Sequence, residues 1–280
     1  MHTGIPQTHP FGLNWHGWTD RGKVRTNNED SYLGLCFDAR EVQHLGRIGQ
    51  GMLSEMDHAF AVCDGMGGAK AGEFASRIAV EQITRLLPKA FQQCARGLSA
   101  GFGDVLTELF HQAHRSLVYV GNSYPECQGM ETTLSLCWFT PGWMYFGHVG
   151  DSRIYYLPMR EGGIRQLSHD DTYVGWLYRN GKINEREART HPRRSVLQKA
   201  LGGGNQFVDP QLGAVNYEAG DIFLICSDGV SENLYEHHLL EILRPKTHHA
   251  PGENLAEILV KAVLQGEARD NATALVIQVT

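Results

Sequence analysis

The stretch from Ala59 to Gly68 constrains the fold of this chain most strongly. An apolar run from Ala59 to Cys63 is followed by Asp64-Gly65 and, after one methionine, by two further glycines. The run has the length and composition of a buried strand, and the glycines predict a turn before a helix that begins near Ala71. A strand that ends in this way presents its carboxylate at the rim of a sheet, where it can face a ligand. Taken alone, Asp-Gly is more often an ordinary turn.

The same arrangement recurs at three other places in the sequence. Asp228 follows an apolar run from Ile222 to Cys226, Asp151 follows a strand-like run that begins at Trp143, and Asp270 precedes an alternating apolar strand. Independent turns could produce one or two of these. Four aspartates at predicted strand ends favour one shared acidic site.

Composition limits the class of protein. The chain has 280 residues and shows no Pro/Ser-rich linker or low-complexity tract, so we expect a lead-in over residues 1–12 and one domain over 13–280. The formal net charge of −6 argues against binding to a nucleic-acid backbone, because no segregated basic patch accompanies it.

The sequence shows no membrane-spanning run, signal peptide or paired-cysteine motif. No apolar run approaches the roughly 20 residues that span a bilayer, and the first residues do not resemble a signal peptide. The six cysteines include no Cys-x-x-Cys pair, which argues against a disulfide framework or a zinc site. We therefore expect a cytoplasmic protein without membrane or nucleic-acid partners, and a monomer.

The order of predicted elements indicates an α+β fold. Helices are predicted over 71–87, ended by Pro88, and over 99–120, with a short helix around 184–189. Closely spaced strands joined by short turns are predicted over 132–140, 143–149 and 153–157, and later strands over 222–226 and 272–279. Such strands must be antiparallel, since a parallel pair needs a long crossover. Residues 38–57 carry three glycines and mixed polarity, which predicts a loop or an irregular insertion. The whole suggests antiparallel sheets covered by helices.

Several carboxylates can share a small volume at neutral pH only if cations offset their repulsion or if some are protonated. Magnesium and manganese prefer oxygen ligands, and two such ions about 3.5–4 Å apart can bind a phosphoryl oxygen and activate water. Arg25 offers a fork for phosphate oxygens, with Glu29 and Asp30 nearby in sequence. Residues 19–31 by themselves fit a solvated loop of mixed charge about as well as a phosphate-binding loop.

These pieces together resemble the protein phosphatase 2C (PP2C, or PPM) family of metal-dependent serine/threonine phosphatases, in its bacterial form. The resemblance runs in order from residue 19 to the C-terminus. The matching segments are Arg25-Thr-Asn-Asn-Glu-Asp30, Val62-Cys-Asp-Gly-Met-Gly-Gly68, Gly129-Met-Glu-Thr-Thr-Leu134, Gly147-His-Val-Gly-Asp-Ser-Arg153, Ser227-Asp-Gly229 and Arg269-Asp-Asn-Ala-Thr273.

The resemblance implies a four-layer α-β-β-α sandwich and a role for each matching residue. It implies that Asp64 bridges two Mn²⁺ or Mg²⁺ ions, that the Gly65 carbonyl binds one of them, and that Asp228 and Asp270 bind the other. Asp151, together with Asp228, matches a third and weaker metal site.

For the surrounding positions the resemblance implies supporting roles. Glu29 and Asp30 would act through water on the metals, and Arg25 would hold the substrate phosphate. Thr132 and Thr133 would support the backbone of the site rather than take part in the chemistry.

The segment 169–204 aligns with the family's flap beside the active site. Within it, His191 matches a histidine linked to substrate handling, although it could equally be a surface residue before Pro192. His148 lies in an apolar strand and is expected to be a buried core residue. Met66 stands where many eukaryotic members have a histidine that protonates the leaving group, and a thioether cannot do so. This leaves metal-bound water or His191 as the proton donor.

The expected activity is hydrolysis of phosphoserine and phosphothreonine in proteins by a metal-activated water, reversing the action of a serine/threonine kinase in a bacterium. Two alternatives remain at this point. One is a non-catalytic interaction domain, which the complete set of acids disfavours. The other is a two-metal nuclease or small-molecule phosphoesterase, and the acidic charge weighs against the nuclease.

Overall fold

The computed structural model describes residues 11–38, 40–68, 71–95, 101–204, 207–244 and 252–280, without the side chains of 89–95. The strands in these ranges are β1 (Gly12–Asp20), β2 (Asp30–Phe37), β3 (Val42–His44), β4 (Ile48–Met52), β5 (Asp57–Met66), β6 (Glu131–Thr132), β7 (Leu134–Thr140), β8 (Trp143–Val149), β9 (Arg153–Leu157), β10 (Arg165–Gln166), β11 (Leu201–Gly202), β12 (Gln211–Asn216), β13 (Ile222–Cys226) and β14 (Ala272–Val279). The helices are α1 (Ala71–Ala95), α2 (Phe102–Ser123), α3 (Tyr173–Arg179), α4 (Glu185–Thr190), α5 (Asp228–Ser231), α6 (Glu236–Leu243) and α7 (Leu255–Gln265), with a 3-10 turn at Pro125–Cys127.

The strands form two sheets in which every described pairing is antiparallel. The first sheet has the order β10-β9-β13-β14-β1-β4. In the second sheet the order is β11-β6-β5-β7-β8-β12, with β2 paired to β5 and β3 paired to β2. The short turns in the sequence predicted this antiparallel arrangement correctly.

The first and the last of the described strands, β1 and β14, are neighbours in the first sheet. β1 and β14 pair from Leu13 opposite Val279 to Asp20 opposite Ala272. At one end, Gly12 and Thr280 exchange backbone hydrogen bonds of 2.9 and 2.8 Å. The opposite end of the pair lies next to Asp270 in the chain, so the acidic site and the Gly12–Thr280 end lie at opposite ends of these strands.

Three hydrophobic clusters separate four layers. The cluster between the sheets combines side chains such as Trp15 and Phe223 from the first sheet with Phe60 and Phe139 from the second. A second cluster packs α1 and α2 on the outer face of the second sheet, and a third packs α6 and α7 on the outer face of the first. This is the α-β-β-α sandwich predicted from the sequence.

Pro88 does not end α1, so that prediction is wrong. The helix continues through Pro88 to Ala95. Proline removes one intrahelical hydrogen bond, but Ile83 and Leu87 are fully buried in the cluster that packs α1 on the sheet, and this packing outweighs the local loss. The predicted start of the second helix at residue 99 lies outside the described residues, and α2 continues to Ser123.

The prediction of a loop over 38–57 is also wrong in part, because β3 and β4 lie within it. β4 pairs with β1 at the edge of the first sheet. A β-carbon at Gly49 would lie 2.2 Å from the Trp15 ring, so glycine is needed for the indole to lie against this strand. The glycines that suggested a loop therefore reflect close packing under an edge strand.

The flap, residues 169–204, leaves the sheets between β10 and β11 and carries α3 and α4. A β-bridge between Thr172 and Leu197 closes its base. Asn184 caps α4 by accepting from the backbone N–H of Glu187, which agrees with the short helix predicted there. The division into a lead-in and one domain stays a prediction, and residues 1–10 lie outside the described ranges. Among the described helices, none combines the length and the apolar character that crossing a membrane requires.

Candidate active site

Seven of the predicted site residues line a single cleft of about 310 Å³ at one end of the sandwich. They are Arg25, Glu29, Asp64, Gly65, Asp151, Asp228 and Asp270. These residues come from both sheets and from loops far apart in sequence. Asp30 lies buried close by, and His191 does not belong to the lining.

Asp64 lies near the end of β5, and its backbone is fixed by two threonines. Its carbonyl accepts hydrogen bonds from Thr133 N and Thr132 Oγ1, each 2.9 Å, and its amide donates to Thr133 Oγ1 at 3.0 Å. Both threonines are fully buried and support the backbone, as predicted. With its backbone held in this way, Asp64 lines the cleft.

Gly65 can only be glycine in this packing. A β-carbon there would lie 2.0 Å from the carbonyl oxygen of Gly72 and 2.9 Å from that of Glu29. Its amide donates to the Glu29 carbonyl at 3.2 Å, which ties the end of β5 to the residue before β2. The backbone of residue 65 thus lies directly beside the cleft.

Asp228 and Asp270 are brought together by the packing of two turns. Asp228 is the first residue of α5 and is separated from β13 by Ser227, which donates its amide to the Thr273 carbonyl at 3.1 Å. A β-carbon at Gly229 would lie 1.8 Å from the carbonyl oxygen of Asn271. The glycine therefore allows the turn that carries Asp228 to lie against the residue that follows Asp270.

Asp30 is buried behind the cleft and has one oxygen without a partner. Its Oδ2 accepts from Ser227 Oγ at 2.8 Å and from Thr273 Oγ1 at 2.6 Å. Its Oδ1 is buried and unpaired, and so is Oδ1 of Asp228. A buried acceptor without a donor costs free energy unless something else compensates it.

Asn271 is a site residue that the sequence analysis did not single out. Its Oδ1 accepts from the Glu29 amide at 2.8 Å, while its Nδ2 donates to the carbonyls of Arg21 and Asn27 at 2.9 and 3.0 Å. One side chain thereby holds the 19–31 loop against the end of β14. Its position directly after Asp270 in the matching segment was the only sequence signal for it.

The carboxylates raise one another's pKa. Burial is the main cause at Asp64, and repulsion from Asp30, Asp228, Asp151 and Asp270 adds to it, so the pKa lies well above its usual value. The pKa of Asp228 is raised in the same way by burial and by its acidic neighbours. Burial, with repulsion from nearby acids, raises the pKa of Asp151 to about 7 and that of Asp30 to about 6.

Arg25 is the cation at the mouth of the cleft. Its Nη2 donates to Asp270 Oδ2 at 2.6 Å, and half of its side chain is exposed. The hydrogen bond to Asp270 raises the pKa of the guanidinium, so Arg25 stays charged. An exposed fork held beside a carboxylate cluster is well placed to bind a dianion that enters the cleft.

Neither of the two histidines that the sequence singled out lines the cleft. His148 is fully buried, and its ring contacts Ser135 Oγ at 2.9 Å and the Gly150 carbonyl at 3.0 Å, as expected for a core residue. His191 is the C-terminal cap residue of α4, and its Nδ1 accepts from the Arg193 amide at 3.1 Å. Met66 lines the cleft, and within the described residues that line it there is no histidine.

The residues of the cleft fit hard divalent cations. In the part of the chain that the structure describes, no three His, Cys, Asp or Glu side chains are grouped so as to hold a metal ion by themselves. Magnesium and manganese do not need such a cage, because they keep several waters and use one or two carboxylates with carbonyl oxygens. Unpaired buried oxygens and mutually raised pKa values are what a bound cation would compensate.

The comparisons with known proteins identify the family. A family model described as protein phosphatase 2C matches residues 49–264. The chain is 33% identical over 277 residues to serine/threonine protein phosphatase PstP of Mycobacterium tuberculosis, covering 95% of this chain and 45% of PstP. It is 31% identical over 261 residues to serine/threonine phosphatase Stp of Listeria innocua, covering 93% of each chain.

A solved structure agrees with these relatives. The catalytic domain of PstP in complex with two manganese ions superposes with a TM-score of 0.74 at 29% identity, covering 96% of this chain and 99% of that one. The four-layer sandwich is therefore of the PP2C type. The chain belongs to the protein phosphatase 2C family, which confirms the prediction from the sequence motifs, and it spans less than half the length of PstP.

Proposed function

We propose that this chain is a Mn²⁺- or Mg²⁺-dependent protein phosphatase that hydrolyses phosphoserine and phosphothreonine. The observation that carries the proposal is the cleft in which Asp64, Asp151, Asp228 and Asp270 meet beside Arg25. Such a cleft pairs a site for cations with a group that binds phosphate. The activity of the PP2C relatives agrees with it.

The site residues take the following roles in this proposal. The carboxylates of Asp64, Asp228 and Asp270 and the carbonyl of Gly65 would hold two ions. Asp151, with Asp228, would hold a third ion more weakly. The bound ions would supply charge neutralisation and a water that is acidic enough to react at neutral pH.

The chain's own side chains orient the substrate and the water. Arg25 binds two phosphoryl oxygens from the mouth of the cleft. Asp30 Oδ1 and the Glu29 carboxylate accept hydrogen bonds from water in the cleft, and Ser227 and Thr273 hold Asp30 in place. Because no histidine is found among the described lining residues, we infer that the leaving alkoxide takes its proton from water and that His191 contacts the substrate from outside the cleft.

The biological setting belongs to the same proposal. The relatives are bacterial serine/threonine phosphatases. We therefore propose a cytoplasmic monomer that acts in signalling on phosphoproteins produced by a serine/threonine kinase and does not bind membrane or nucleic acid. Phosphoproteomics of a strain carrying Asp228→Asn would identify the substrates.

The test compares wild type, Asp228→Asn and Asp209→Asn on a phosphothreonine peptide, an aryl phosphate and single-stranded DNA. Asp209 is exposed and lies outside the cleft, so its variant is a matched control. We expect manganese-dependent release of phosphate from the peptide by wild type and Asp209→Asn only. Full activity of Asp228→Asn, or of wild type in excess chelator, would refute the proposal. Cleavage of DNA or of the aryl phosphate alone would favour one of the alternatives.

A further inference from the structure

Arg189 is the one side chain of α4 that reaches well into the body of the protein. No residue of α4 is buried, yet the Arg189 side chain is only 15% exposed. Arg186, three residues earlier, is exposed, and its side chain makes no hydrogen bond or ion pair with the described residues. The two arginines therefore differ in environment while sharing a helix.

The guanidinium of Arg189 makes three of its four hydrogen bonds to backbone carbonyls. Nη1 donates to the carbonyls of Ser231 and Glu232 at 2.8 and 3.0 Å, and Nη2 donates to that of Leu234 at 3.3 Å. The group also lies 4.0 Å over the Tyr235 ring. Its Nε donates to Glu185 on the same helix at 3.1 Å. A flat, five-donor group fits this set of acceptors, and a lysine would not.

The carbonyls that Arg189 binds belong to the turn that carries Asp228. Asp228 begins α5, and its own carbonyl accepts from the Glu232 amide at 2.7 Å. Asn233 Nδ2 donates back to the Gly229 carbonyl at 2.8 Å. A contact to residues 231–235 is therefore transmitted to Asp228 through one continuous set of hydrogen bonds.

The base of the flap is hydrogen-bonded to the residue that precedes Asp151. Asp171 accepts from the Gly150 amide at 3.1 Å through Oδ2 and donates its own amide to the Gly150 carbonyl at 2.7 Å. Gly150 directly precedes Asp151. Between these two attachments lies a cavity of about 310 Å³ that is lined by both Asp151 and Asp228.

We propose that Arg189 is a positioning residue that fastens the flap to the Asp228 turn, so that the flap and this metal ligand move as one unit. The contacts described above support the structural link between the flap and the Asp228 turn. An effect of this link on metal affinity rests on the proposed function. The neighbouring ion pair between Arg194 and Glu232 is more exposed and longer, at 3.3 Å, and is expected to add little.

The first measurement needs neither metal nor substrate. Amide hydrogen exchange is compared in wild type, Arg189→Gln, Arg189→Lys and the control Arg186→Gln. We expect exchange in α4 and in residues 228–235 to become about 10- to 100-fold faster in Arg189→Gln, because charged hydrogen bonds are lost, with a smaller change in Arg189→Lys. Tyr235→Ala keeps the carbonyls and removes the ring, and it should show the same pattern more weakly.

The second measurement follows thermal stabilisation as manganese is added. Removal of a group that orients a metal ligand typically lowers metal affinity by about 10- to 100-fold. The manganese concentration that gives half of the thermal stabilisation should therefore rise by this factor in Arg189→Gln and stay unchanged in Arg186→Gln. Equal exchange of residues 228–235 in the two glutamine variants would overturn the inference, as would equal manganese midpoints. A wild type without phosphatase activity would end the proposed function, while the exchange experiment would still decide the role of Arg189.

Discussion

Strand β5 carries a carboxylate near each end, and the two have different surroundings. Asp57 begins the strand, and its Oδ2 accepts a hydrogen bond of 2.8 Å from the Trp138 indole. Burial raises the pKa of Asp57 to about 6, and no acidic neighbour contributes to the shift. Asp64, near the other end, has its pKa raised by burial and by four further carboxylates. The strand thus separates a solitary acid from a crowded one.

The difference follows from the alternation of side chains along a strand. Residues seven apart point to opposite faces. Asp57 points toward the helical layer, where Trp138 packs, whereas Asp64 points toward the other sheet, which brings Asp228 and Asp270. Burial raises the pKa of both carboxylates and therefore does not distinguish them. Crowding among like charges distinguishes Asp64, the residue of the candidate site, from Asp57.

The largest expected difference between the two ends is in catalysis. Asp64→Asn should lower manganese-dependent hydrolysis of a phosphothreonine peptide by about 10²–10³-fold or more, the effect of losing one preorganised electrostatic group. Asp57→Asn should retain wild-type kcat/KM, because the amide can still accept from Trp138. Initial rates at saturating manganese measure both. Comparable losses in the two variants would remove the distinction.

The next effect in size concerns pH and belongs to Asp57. Its folded-state pKa of about 6 exceeds the ordinary aspartate value of 3.8, so the folded protein binds more protons than the unfolded chain between these values. Stability should therefore fall as pH rises from about 4 to 6 and then stay level, by up to about 3 kcal/mol.

Urea unfolding of wild type and Asp57→Asn in chelator across pH 4–8 isolates this contribution. The other acids with raised pKa values are present in both proteins, so the difference between the curves reports on Asp57. We expect the free energy of unfolding of Asp57→Asn to increase relative to that of wild type as pH rises from about 4 to 6. Parallel curves would show that Asp57 titrates as it does in the unfolded chain.

Metal binding gives a third contrast. A ligand at 100 times its dissociation constant adds about 2.7 kcal/mol of stability, which corresponds to a rise in Tm of roughly 5–10 °C for a domain of this size. Wild type and Asp57→Asn should both show this rise with manganese. Asp64→Asn should show little or none, and a full shift in that variant would place the ions elsewhere.

The smallest expected effect is the stability of Asp64→Asn in chelator at pH 8. Removing one of several neighbouring negative charges relieves repulsion, so the variant should match wild type or exceed it by about 1 kcal/mol. The free energy of unfolding from urea titration measures this difference. A clear loss of stability would mean that the Asp64 carboxylate has a structural role of its own.

Sequence reasoning succeeded where a pattern is local. The runs that form β8, β9, β13 and β14 are apolar and bounded by turn residues, and their predicted limits agree with the structure to the residue. β12 was not assigned, because its residues are half-exposed and interrupted by Gly213. α3 was hidden in the polar flap, where few buried positions mark a helical face.

The residues of the candidate site also fall into those that local sequence predicts and those that it does not. Its aspartates were predicted because each follows or precedes a strand, and seven of the predicted residues line one cleft. The contacts of Asn271 with Glu29 and of Ser227 with Asp30 join residues about two hundred positions or more apart and leave no trace in local sequence. Arg189 and Arg186 look alike in the sequence, and only the packing of α4 distinguishes them.

The adjacency of Gly12 and Thr280 has a practical consequence for attaching other molecules to this protein. A fluorescent label or surface anchor joined after Thr280 would leave the sandwich at the far end of β14, about 25 Å from the acids, given the rise per residue of a strand. A short peptide could also join these two positions to make a circular permutant, with new termini opened at the Pro141–Gly142 turn.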